Sequence, residues 1–353
     1  MNAPMTHSAT LRVVDFGDAT EVARIERFVA ESGGSVFQRP LWLSAIAEGT
    51  GNPAHGIVVE RGTTLLGWLP LTLVHSPLFG RALVSSGFGV GGGMLFLRER
   101  DIDLLAGAAS ELAQRLCVPS IELRDAVAPD GWDTIRGKHA NFSRDLAEDD
   151  DAQLLAIPRK ARAEVRKGLA NDLTITVGSS EQDRAAHYAV YAESVHNLGT
   201  PVFPRSMFDA VLDRFGDDAD ILTVSHGARP TASVLSLYHK GTVMPFWGGG
   251  TFAARSLRAN ERMYYELMLH ARRKGCTRFD FGRSKTGSGP FSFKKNWGFE
   301  PEPLVYRSWC APGSEARNID PTDAGYSAKI ELWKRMPLSL ANRIGPAIAR
   351  GLG

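Results

Sequence analysis

The sequence predicts an α/β protein of two similar units, each a mixed β-sheet covered by helices. Three observations support this fold class. The chain has 353 residues, 43% of them hydrophobic, which is enough to fill two cores of ordinary size. Helix signals alternate with β-hairpin signals, a pattern that favours mixed sheets over a purely parallel sheet. The order of these signals in the first half of the chain returns in the second half, as expected for a duplicated unit.

The elements of the first unit follow from local signals. Asp18 is a good helix cap before ATEVARIERFVAES, and Pro40 occupies a first-turn position in RPLWLSAIAEG. The stretch GIVVERGTTLLGWLPLTLV predicts a hairpin that turns at Gly62. A helix over residues 102–116 and the strand SIELRD complete the unit.

Three matches in the same order indicate the duplication. GGSVFQRPLWLSAI resembles LGTPVFPRSMFDAV, with Arg39 opposite Arg205 and Trp42 opposite Phe208. Downstream, VVERGTTLLGWLPL parallels LTVSHGARPTASVLSLY, and IELRD parallels FDFGR. Chance could supply one such match, but three in sequence favour a repeated α/β unit.

The acidic stretch LAEDDDAQ joins the two units and is interpreted as a solvated linker or helix cap. The predicted domains are therefore residues 1–150, residues 151–312 and a helical tail over residues 313–353. The tail is amphipathic and is interrupted by Pro337 and Pro346. Docking on the fold is the simpler interpretation of the tail, while its arginines and tryptophan leave peripheral membrane contact as the alternative.

Composition excludes several classes of protein. Lys+Arg 41 against Asp+Glu 39 gives a net charge of +2, so no global field draws the chain to DNA or to an anionic membrane. Three cysteines without a CxxC pair predict neither a disulfide framework nor a bound metal. The N-terminus shows no basic segment followed by an apolar core, so we expect a cytoplasmic protein. Contact of the tail with the inner face of the membrane is the alternative location.

The strongest candidate site is DFGRSKTGSGPFSFKKNWGFE, which begins at Asp280 after an apparently buried strand. It is not a Walker A motif, because its lysine precedes the glycines, and the chain lacks GxGxxG in the dinucleotide context, HExxH and GxSxG. We expect Arg283 and Lys285 to lie in a mobile loop at the strand end, where α/β proteins bind ligands. Gly287 and Gly289 would let backbone N–H groups approach an anion or a developing oxyanion.

Two lysines beside aromatic residues follow this loop. Lys294 and Lys295 lie next to Phe293 and Trp297. A lysine in such a setting can bind a phosphate or stabilise the negative charge that develops during acyl transfer. The alternative is a surface loop with solvated lysines and core aromatics.

A basic helix and a strand pair supply further candidates. PRKARAEVRKGLAN places cations on one helical face that can hold a diphosphate or an RNA backbone, and a solvated face is the equal alternative. Its candidate binding residues are Arg159, Arg162, Arg166 and Lys167. In the strands ASVLSLYHKG and TVMPFWGGG, Trp247 is a candidate for substrate binding where the strands part to admit an acyl donor. His239 is the one histidine considered as a base, although a structural histidine is the commoner case.

The chain resembles the FemAB-like proteins found with bacterial PEP-CTERM exosortase and exopolysaccharide loci. Three segments in order carry the resemblance: the basic helix, then LGTPVFP, then DFGRSKTGSGPFSFKKNWGFEPEPLVY. The resemblance spans nearly the whole chain and implies two tandem acetyltransferase-like domains of the GNAT fold. In Fem transferases a Phe-Lys pair after the last core strand lies at the reaction centre. The motif FKxxWG places that pair at Phe293 and Lys294, and Asp280 matches the family's Asp-x-Gly pattern.

The resemblance also implies the reaction. Fem enzymes use aminoacyl-tRNA and GNAT relatives use acyl-CoA, so either donor is expected and no tightly bound cofactor. Fem members that bind a nucleotide-linked peptidoglycan precursor have a lysine shortly after the tryptophan that matches Trp42, and this chain has no lysine there. The chain also lacks the helical arm that some tRNA-using members insert in the second domain. We therefore expect an acyltransferase that modifies an amine or hydroxyl of a cell-envelope or exopolysaccharide precursor, with tRNA as a candidate carrier. The alternative is a catalytically inactive tandem-GNAT binding protein.

Overall fold

The computed structural model of the protein describes residues 8–77, 79–124, 127–317 and 324–353, with side chains in the last range from residue 330 onward. The chain forms two compact units. As far as they are described, the first contains residues 8–136, 305–317 and 350–353, and the second contains residues 137–304 and 324–349.

The elements up to residue 136 are β1 (Thr10–Val13), α1 (Ala19–Glu31), α2 (Pro40–Thr50), β2 (Ala54–Arg61), β3 (Thr64–Ser76), β4 (Gly80–Ser85), β5 (Leu95–Phe96), α3 (Arg100–Arg115), β6 (Ser120–Leu123) and β7 (Asp133–Ile135). The elements after residue 136 are β8 (His139–Asp145), α4 (Asp150–Ala156), α5 (Arg159–Ala170), β9 (Thr174–Gly178), α6 (Glu181–Asn197), α7 (Arg205–Phe215), β10 (Ala219–His226), β11 (Arg229–His239), β12 (Thr242–Gly250), α8 (Ala254–Leu257), α9 (Ala259–Arg273), β13 (Arg278–Asp280), β14 (Ser284–Lys285), α10 (Gly289–Asn296), β15 (Pro301–Pro303), β16 (Tyr306–Cys310), α11 (Ala324–Arg335) and α12 (Leu338–Ala349). Short 3-10 turns lie at Val36–Gln38 and Gly216–Asp218.

Each unit contains one mixed sheet. The first sheet has the strand order β1-β2-β3-β4-β6-β16-β7, and the second has the order β9-β10-β11-β12-β13-β8-β14. In both sheets the fourth and fifth strands in the order are parallel, β4 with β6 and β12 with β13. The corresponding strands in the two orders confirm the predicted duplication and the predicted mixed-sheet class.

The two units differ from the predicted domain boundaries, because each sheet takes a strand from across the predicted boundary. The prediction includes β8 in the N-terminal domain, yet β8 pairs antiparallel with β13 in the second sheet. It includes β16 in the C-terminal domain, yet β16 pairs with β6 and β7 in the first sheet. The helices of the tail belong to the second unit instead of forming a separate region. Linear order does not reveal such an exchange, because a strand's partner depends on which sheet edge lies open beside it.

Local signals in the sequence place the helices and hairpins correctly. The Asp18 carboxylate accepts hydrogen bonds from the N–H groups of Thr20 and Glu21 and caps α1. Pro40 is the first residue of α2, and the predicted helix over residues 102–116 is α3. The hairpin turns use glycine at φ of 61° for Gly62 and 57° for its counterpart Gly227, a backbone region that favours glycine.

The second unit has the larger aromatic core. Phe279 and Phe281 of the β13 segment pack edge-on with ring centroids 4.8 Å apart, and Phe281 packs on Phe299 at 4.7 Å. Trp297 is 1% exposed in the same cluster. Burial of a large apolar side chain contributes about 1.5–3 kcal/mol, so this cluster holds the end of β13 against the C-terminal end of α10. In the first unit Trp68, Leu83 and related apolar residues fill the corresponding layers.

The tail helices dock on the fold of the second unit. A Cβ added to Gly345 of α12 would lie 3.2 Å from the backbone nitrogen of Val202, so the two segments are in close contact. Pro337 separates α11 from α12, whereas Pro346 lies inside α12 and does not end it. In the described part of the chain, no helix has the length and apolar character needed to cross a bilayer. Peripheral membrane contact stays a prediction.

Candidate active site

The second sheet opens into a cleft where two parallel strands part. β12 and β13 pair at Thr242 with Arg278 and at Val243 with Phe279. β12 then continues to Gly250, while β13 ends at Asp280. A shift of register in the β11–β12 pair, typical of a β-bulge, bends β12 before it reaches the open end.

Five elements line a cleft of about 270 Å³ at this open end. They are the last turn of α6, the last residues of β12 with the loop that follows, the short helix α8, the first turns of α9, and the first turns of α10. The cleft is lined by Ser194, Asn197, Leu198, Gly249, Gly250, Thr251, Phe252, Arg255, Asn260, Tyr264, Gly289, Pro290 and Phe293. Backbone from strand and loop, apolar rings and a few polar groups therefore share one small space, as in typical ligand sites.

Glycine at the end of β12 allows the helices to approach the strand. A Cβ at Gly249 would lie 2.2 Å from Ser194 Oγ, and a Cβ at Gly250 would lie 2.5 Å from Asn260 Oδ1. Both distances are far below van der Waals contact. The glycines predicted to lie where the strands part are thus required for close packing of α6 and α9 on the strand, and they leave backbone facing the cleft.

The cleft is lined by helix ends of both signs. α9 and α10 contribute their N-terminal ends, which carry partial positive charge, and the last turn of α6 contributes a C-terminal end, which carries partial negative charge. Arg255 lies at the rim, with its guanidinium carbon 5.5 Å from the ring centroid of Phe252. Thr251 Oγ1 and Asn260 Oδ1 are buried and have no hydrogen-bond partner in the protein. Unsatisfied buried polar atoms are costly, so these two indicate a ligand or water in the cleft.

Lys294 lies beneath the cleft and not in its lining. The side chain is 8% exposed, and Nζ donates to the carbonyl oxygens of Phe281, Gly282 and Arg283 at 2.7, 2.9 and 3.1 Å. Burial lowers the pKa of Lys294 to about 7, and Asp280 opposes this decrease. All three N–H donors of the ammonium are in use, so the structure gives Lys294 the contacts of a positioning residue that fixes the loop after β13.

Asp280 supports the same loop from its other side. Its carboxylate accepts a hydrogen bond from the N–H of Gly282 at 2.8 Å. Burial raises the pKa of Asp280, against the hydrogen bonds and the charge of Lys294. The predicted pair of Asp280 and Lys294 is therefore brought together, at the floor of the site.

Tyr264 and Asn260 line the cleft, and the sequence interpretation missed both. They are four residues apart in α9 and so share one helical face. The position of a Cβ added to Gly248 lies 3.5 Å from the Tyr264 hydroxyl, which places that hydroxyl against the end of β12. Burial raises the pKa of Tyr264 to about 12, so the phenol keeps its proton. The sequence does contain a signal for this pair: two polar residues four positions apart follow three consecutive glycines at the end of a strand, and that spacing predicts one helical face beside the strand end.

The predicted loop contains a short strand, and its residues divide between two places. Ser284 and Lys285 form β14, where Lys285 pairs with His139. Ser288 caps α10 by accepting from the N–H of Phe291. Two predicted residues line the cleft, Gly289 and Phe293. Four others do not appear in the lining of this cleft: Arg283 is half-buried, Lys285 lies in β14, Gly287 forms the turn before α10 at φ of 77°, and Lys295 is exposed.

Two further predictions are corrected by the course of the strands. His239 pairs with Thr242 at the closed end of β12, eight residues or about 25 Å along the strand from Gly250, so it cannot act as a base in the cleft. Trp247 is 4% exposed and packs edge-on against Phe208 at 4.9 Å, which makes it a core residue. Alternation of strand faces was readable in the sequence, but the direction in which the gap opens was not.

Only one end of the basic helix approaches the cleft. Gly168 near the end of α5 packs on the backbone of Arg258, directly before α9. Lys167 forms an ion pair with Glu164 at 2.7 Å, and Glu164 also pairs with Arg258 at 2.7 Å. Arg159 and Arg166 are exposed, and Arg162 donates to a local carbonyl, that of Leu155. Binding of phosphates by this face stays a prediction.

No group of three or more metal-ligating side chains is found within the described ranges. Residues 158–295 match the protein-family model described as "Acetyltransferase (GNAT) domain". That segment runs from the start of α5 through most of α10 and includes every residue that lines the cleft. No protein of curated function matches the chain significantly in sequence.

Solved structures share the fold over most of their length. FemX is 15% identical, with a TM-score of 0.62 over 84% of this chain and 96% of that one. A tandem GNAT protein from the clavulanic acid biosynthesis pathway is 13% identical, with a TM-score of 0.58 over 87% and 100%. The C-terminal domain of a putative lysylphosphatidylglycerol synthetase from Agrobacterium fabrum is 14% identical, with a TM-score of 0.55 over 83% and 93%. The chain therefore has the tandem GNAT fold, and its second unit carries the sequence of an acetyltransferase (GNAT) domain.

Proposed function

We propose that the protein is an acyltransferase whose second unit moves an acyl group from a donor of the acyl-CoA type to an amine or hydroxyl of a cell-envelope or exopolysaccharide precursor. The observation that carries the proposal is the cleft at the parting of β12 and β13, within the segment that matches the GNAT domain family. Similarity in fold to a putative lysylphosphatidylglycerol synthetase supports an acceptor in the envelope. The exosortase-locus branch and the cytoplasmic location remain predictions from the sequence.

The reaction needs few protein groups. A neutral amine of the acceptor attacks the carbonyl carbon of the donor thioester, and the carbonyl oxygen gains negative charge. Backbone N–H groups at the glycine end of β12 and the N–H of Gly289 at the start of α10 supply donors for that oxygen. When the carbon–sulfur bond breaks, the Tyr264 hydroxyl, which lines the cleft, donates a hydrogen bond to the leaving thiolate. The proton that the amine loses passes through water to this thiolate, so the amide and the thiol are both neutral at the end.

Lys294 and Asp280 contribute by position. Their hydrogen bonds fix the backbone of residues 281–283 and tie it to α10. They thereby set the distance between Phe293 and the end of β12. The arginines of α5 would bind donor phosphates from the side of α9, where Arg258 and Arg255 also lie. In this proposal Arg255 is the cation closest to the reacting end.

Calorimetric titration with acetyl-CoA tests the proposal. Wild-type protein should bind the donor, and Arg255→Gln should weaken binding by about tenfold or more, because a charge-assisted hydrogen bond contributes about 1.5–3 kcal/mol. Arg273→Gln is the matched control, since Arg273 is exposed in the last turn of α9. Absence of acetyl-CoA binding by the wild-type protein, or equal affinity of the two variants, would contradict the proposal.

One observation favours a second candidate, a tandem-GNAT protein that binds its ligand without catalysis. Arg255 and Tyr264 are the titratable side chains among the residues that line the cleft, and neither can act as a general base near neutral pH. The two candidates differ in turnover. A protein that binds acetyl-CoA but releases no free thiol with any primary amine from a panel of amino sugars would support the binding role.

A further inference from the structure

We infer that residues 350–353 are a tethered ligand of the first unit, where they occupy a site for a glycine-containing peptide at the ends of β4 and β6. β4 and β6 are the parallel pair of the first sheet and correspond to β12 and β13 in the second. Arg124, a residue of the site, directly follows β6. The inference is independent of the proposed reaction, which concerns the second unit.

Side chains of the first unit bind the backbone carbonyls of this segment. Asn52 Nδ2 donates to the first carbonyl oxygen of the segment at 2.8 Å. Arg317 donates to the carbonyl oxygens of Gly351 and Gly353 at 2.9 and 2.8 Å. Arg124 donates to that same oxygen of Gly353 at 2.9 Å. These hydrogen bonds hold the segment through its main chain, as protein sites that recognise extended peptides do.

The two arginines make an empty site unfavourable. Arg124 is 3% exposed, and its guanidinium shares one acceptor oxygen with that of Arg317. Burial lowers the pKa of Arg317 to about 10; Glu122 opposes this decrease, and the charge of Arg124 adds to it. Glu122 is also ion-paired with Arg124 at 2.9 Å, so one carboxylate serves two guanidinium groups. Departure of the segment would remove acceptors from buried N–H groups, which favours replacement by another ligand of the same chemistry over an empty site.

The walls of the site require glycine at two positions. A Cβ added to Gly351 would lie 2.5 Å from Ser76 Cβ, and a Cβ added to Gly353 would lie 2.6 Å from Cε2 of Phe88. Both distances are shorter than a van der Waals contact between carbon atoms. Phe88 is 9% exposed and has a φ of 64°, a strained backbone that persists only where the surrounding structure holds it. The site therefore selects Gly-x-Gly, and Leu352 between the two glycines is half-buried.

A peptide supplied in trans tests the inference. The probe is Ala-Arg-Gly-Leu-Gly with fluorescein at its N-terminus, and fluorescence anisotropy measures its binding to the full-length protein. A tethered segment has an effective concentration on the order of 1 mM, so the wild-type site should be occupied and should bind the probe poorly. Gly351→Ala adds a methyl group that does not fit beside Ser76, so the segment should leave and the affinity for the probe should rise about tenfold or more.

Two further proteins make the comparison specific. Gly107→Ala is the matched control, because a Cβ at Gly107 in α3 meets no atom within 4 Å; this variant should bind the probe as poorly as wild type. Arg317→Gln in the Gly351→Ala chain removes the donor to two carbonyl oxygens. It should weaken binding of the probe about tenfold or more, because hydrogen bonds from a charged donor are lost.

Trypsin cleavage after Arg350, followed by mass spectrometry, measures release of the segment without the probe. Arg350 is exposed, but its carbonyl is held by Asn52, so cleavage requires local opening. Gly351→Ala and the single variant Arg317→Gln should both be cleaved about fivefold faster or more than wild type and Gly107→Ala. Equal cleavage of all four proteins would overturn the inference. Equal binding of the probe by wild type and Gly351→Ala, or no binding by either, would overturn it as well.

Discussion

Replacement of Lys294 by methionine tests whether this lysine holds the loop after β13. Methionine keeps the length and apolar stem of the side chain but cannot donate hydrogen bonds. The change would leave the carbonyl oxygens of Phe281, Gly282 and Arg283 without the ammonium that now donates to each of them. It would also leave the half-buried carboxylate of Asp280 without its closest positive charge.

The magnitude follows from these contacts. Burial opposes the charge on Lys294 and lowers its pKa to about 7, so the ammonium itself is not strongly favoured in the folded state. An acceptor left unsatisfied in a buried site costs about 1–3 kcal/mol, and two of the three carbonyl-bearing residues are half-buried, which places each cost at the low end. We expect a loss of about 3 kcal/mol in the free energy of unfolding, or about 6–12 °C in Tm for a unit of this size.

Urea denaturation followed by tryptophan fluorescence measures the change, with Lys295→Met as the control. Lys295 is the exposed neighbour in α10, and its replacement should alter the free energy of unfolding by less than about 0.5 kcal/mol. If the two variants were equally stable, the carbonyl contacts would not hold the loop, and the assignment of Lys294 as a positioning residue would be refuted.

Two further outcomes can be measured. Gly249→Ala should abolish acetyl-CoA binding in calorimetry, because the added methyl group would overlap Ser194 Oγ at 2.2 Å. Ser194→Gly in the same chain should restore much of the affinity. If the double variant did not bind, the methyl group itself would block the ligand. Burial alone would raise the pKa of Asp220, but hydrogen bonds from His270 and Tyr238 hold it below its usual value. Stability from Asp220 is therefore full above about pH 4 and is lost as the pH falls through the lower folded pKa. Asp220→Asn should lower the urea midpoint at pH 7, and its difference from wild type should shrink as the pH falls below about 4. Parallel curves over that range would show that the carboxylate is not stabilised in the fold.

Features with a local cause were predictable from the sequence. The caps, the glycine turns and the alternation of strand faces depend on residues a few positions apart, so α1, α2 and both long hairpins were predicted correctly. The duplication was visible for the same reason, because equivalent local signals return in the same order. Of the predicted site residues, Gly289 and Phe293 line the cleft, and their role in a reaction stays a prediction.

Features that depend on three-dimensional direction were not predictable. His239 and Gly250 lie on adjacent strands of one hairpin, and the sequence does not say which end of that hairpin opens. Lys294 follows the phenylalanine that lines the cleft, but the helical turn of α10 directs its side chain down toward the β13 loop. The exchange of β8 and β16 depends on open sheet edges, which only the assembled fold defines.

The exchange of strands has a consequence for synthesis of the chain on the ribosome. β6 emerges early, but its antiparallel neighbour β16 emerges about 190 residues later, after nearly all of the second sheet. At roughly 5–20 residues per second, the first sheet waits about 10–40 s with β6 uncovered along one side. Through that interval the nascent chain exposes a strand edge able to pair with other extended segments. Co-translational chaperone capture should therefore concentrate on the nascent chain between the exit of β6 and that of β16.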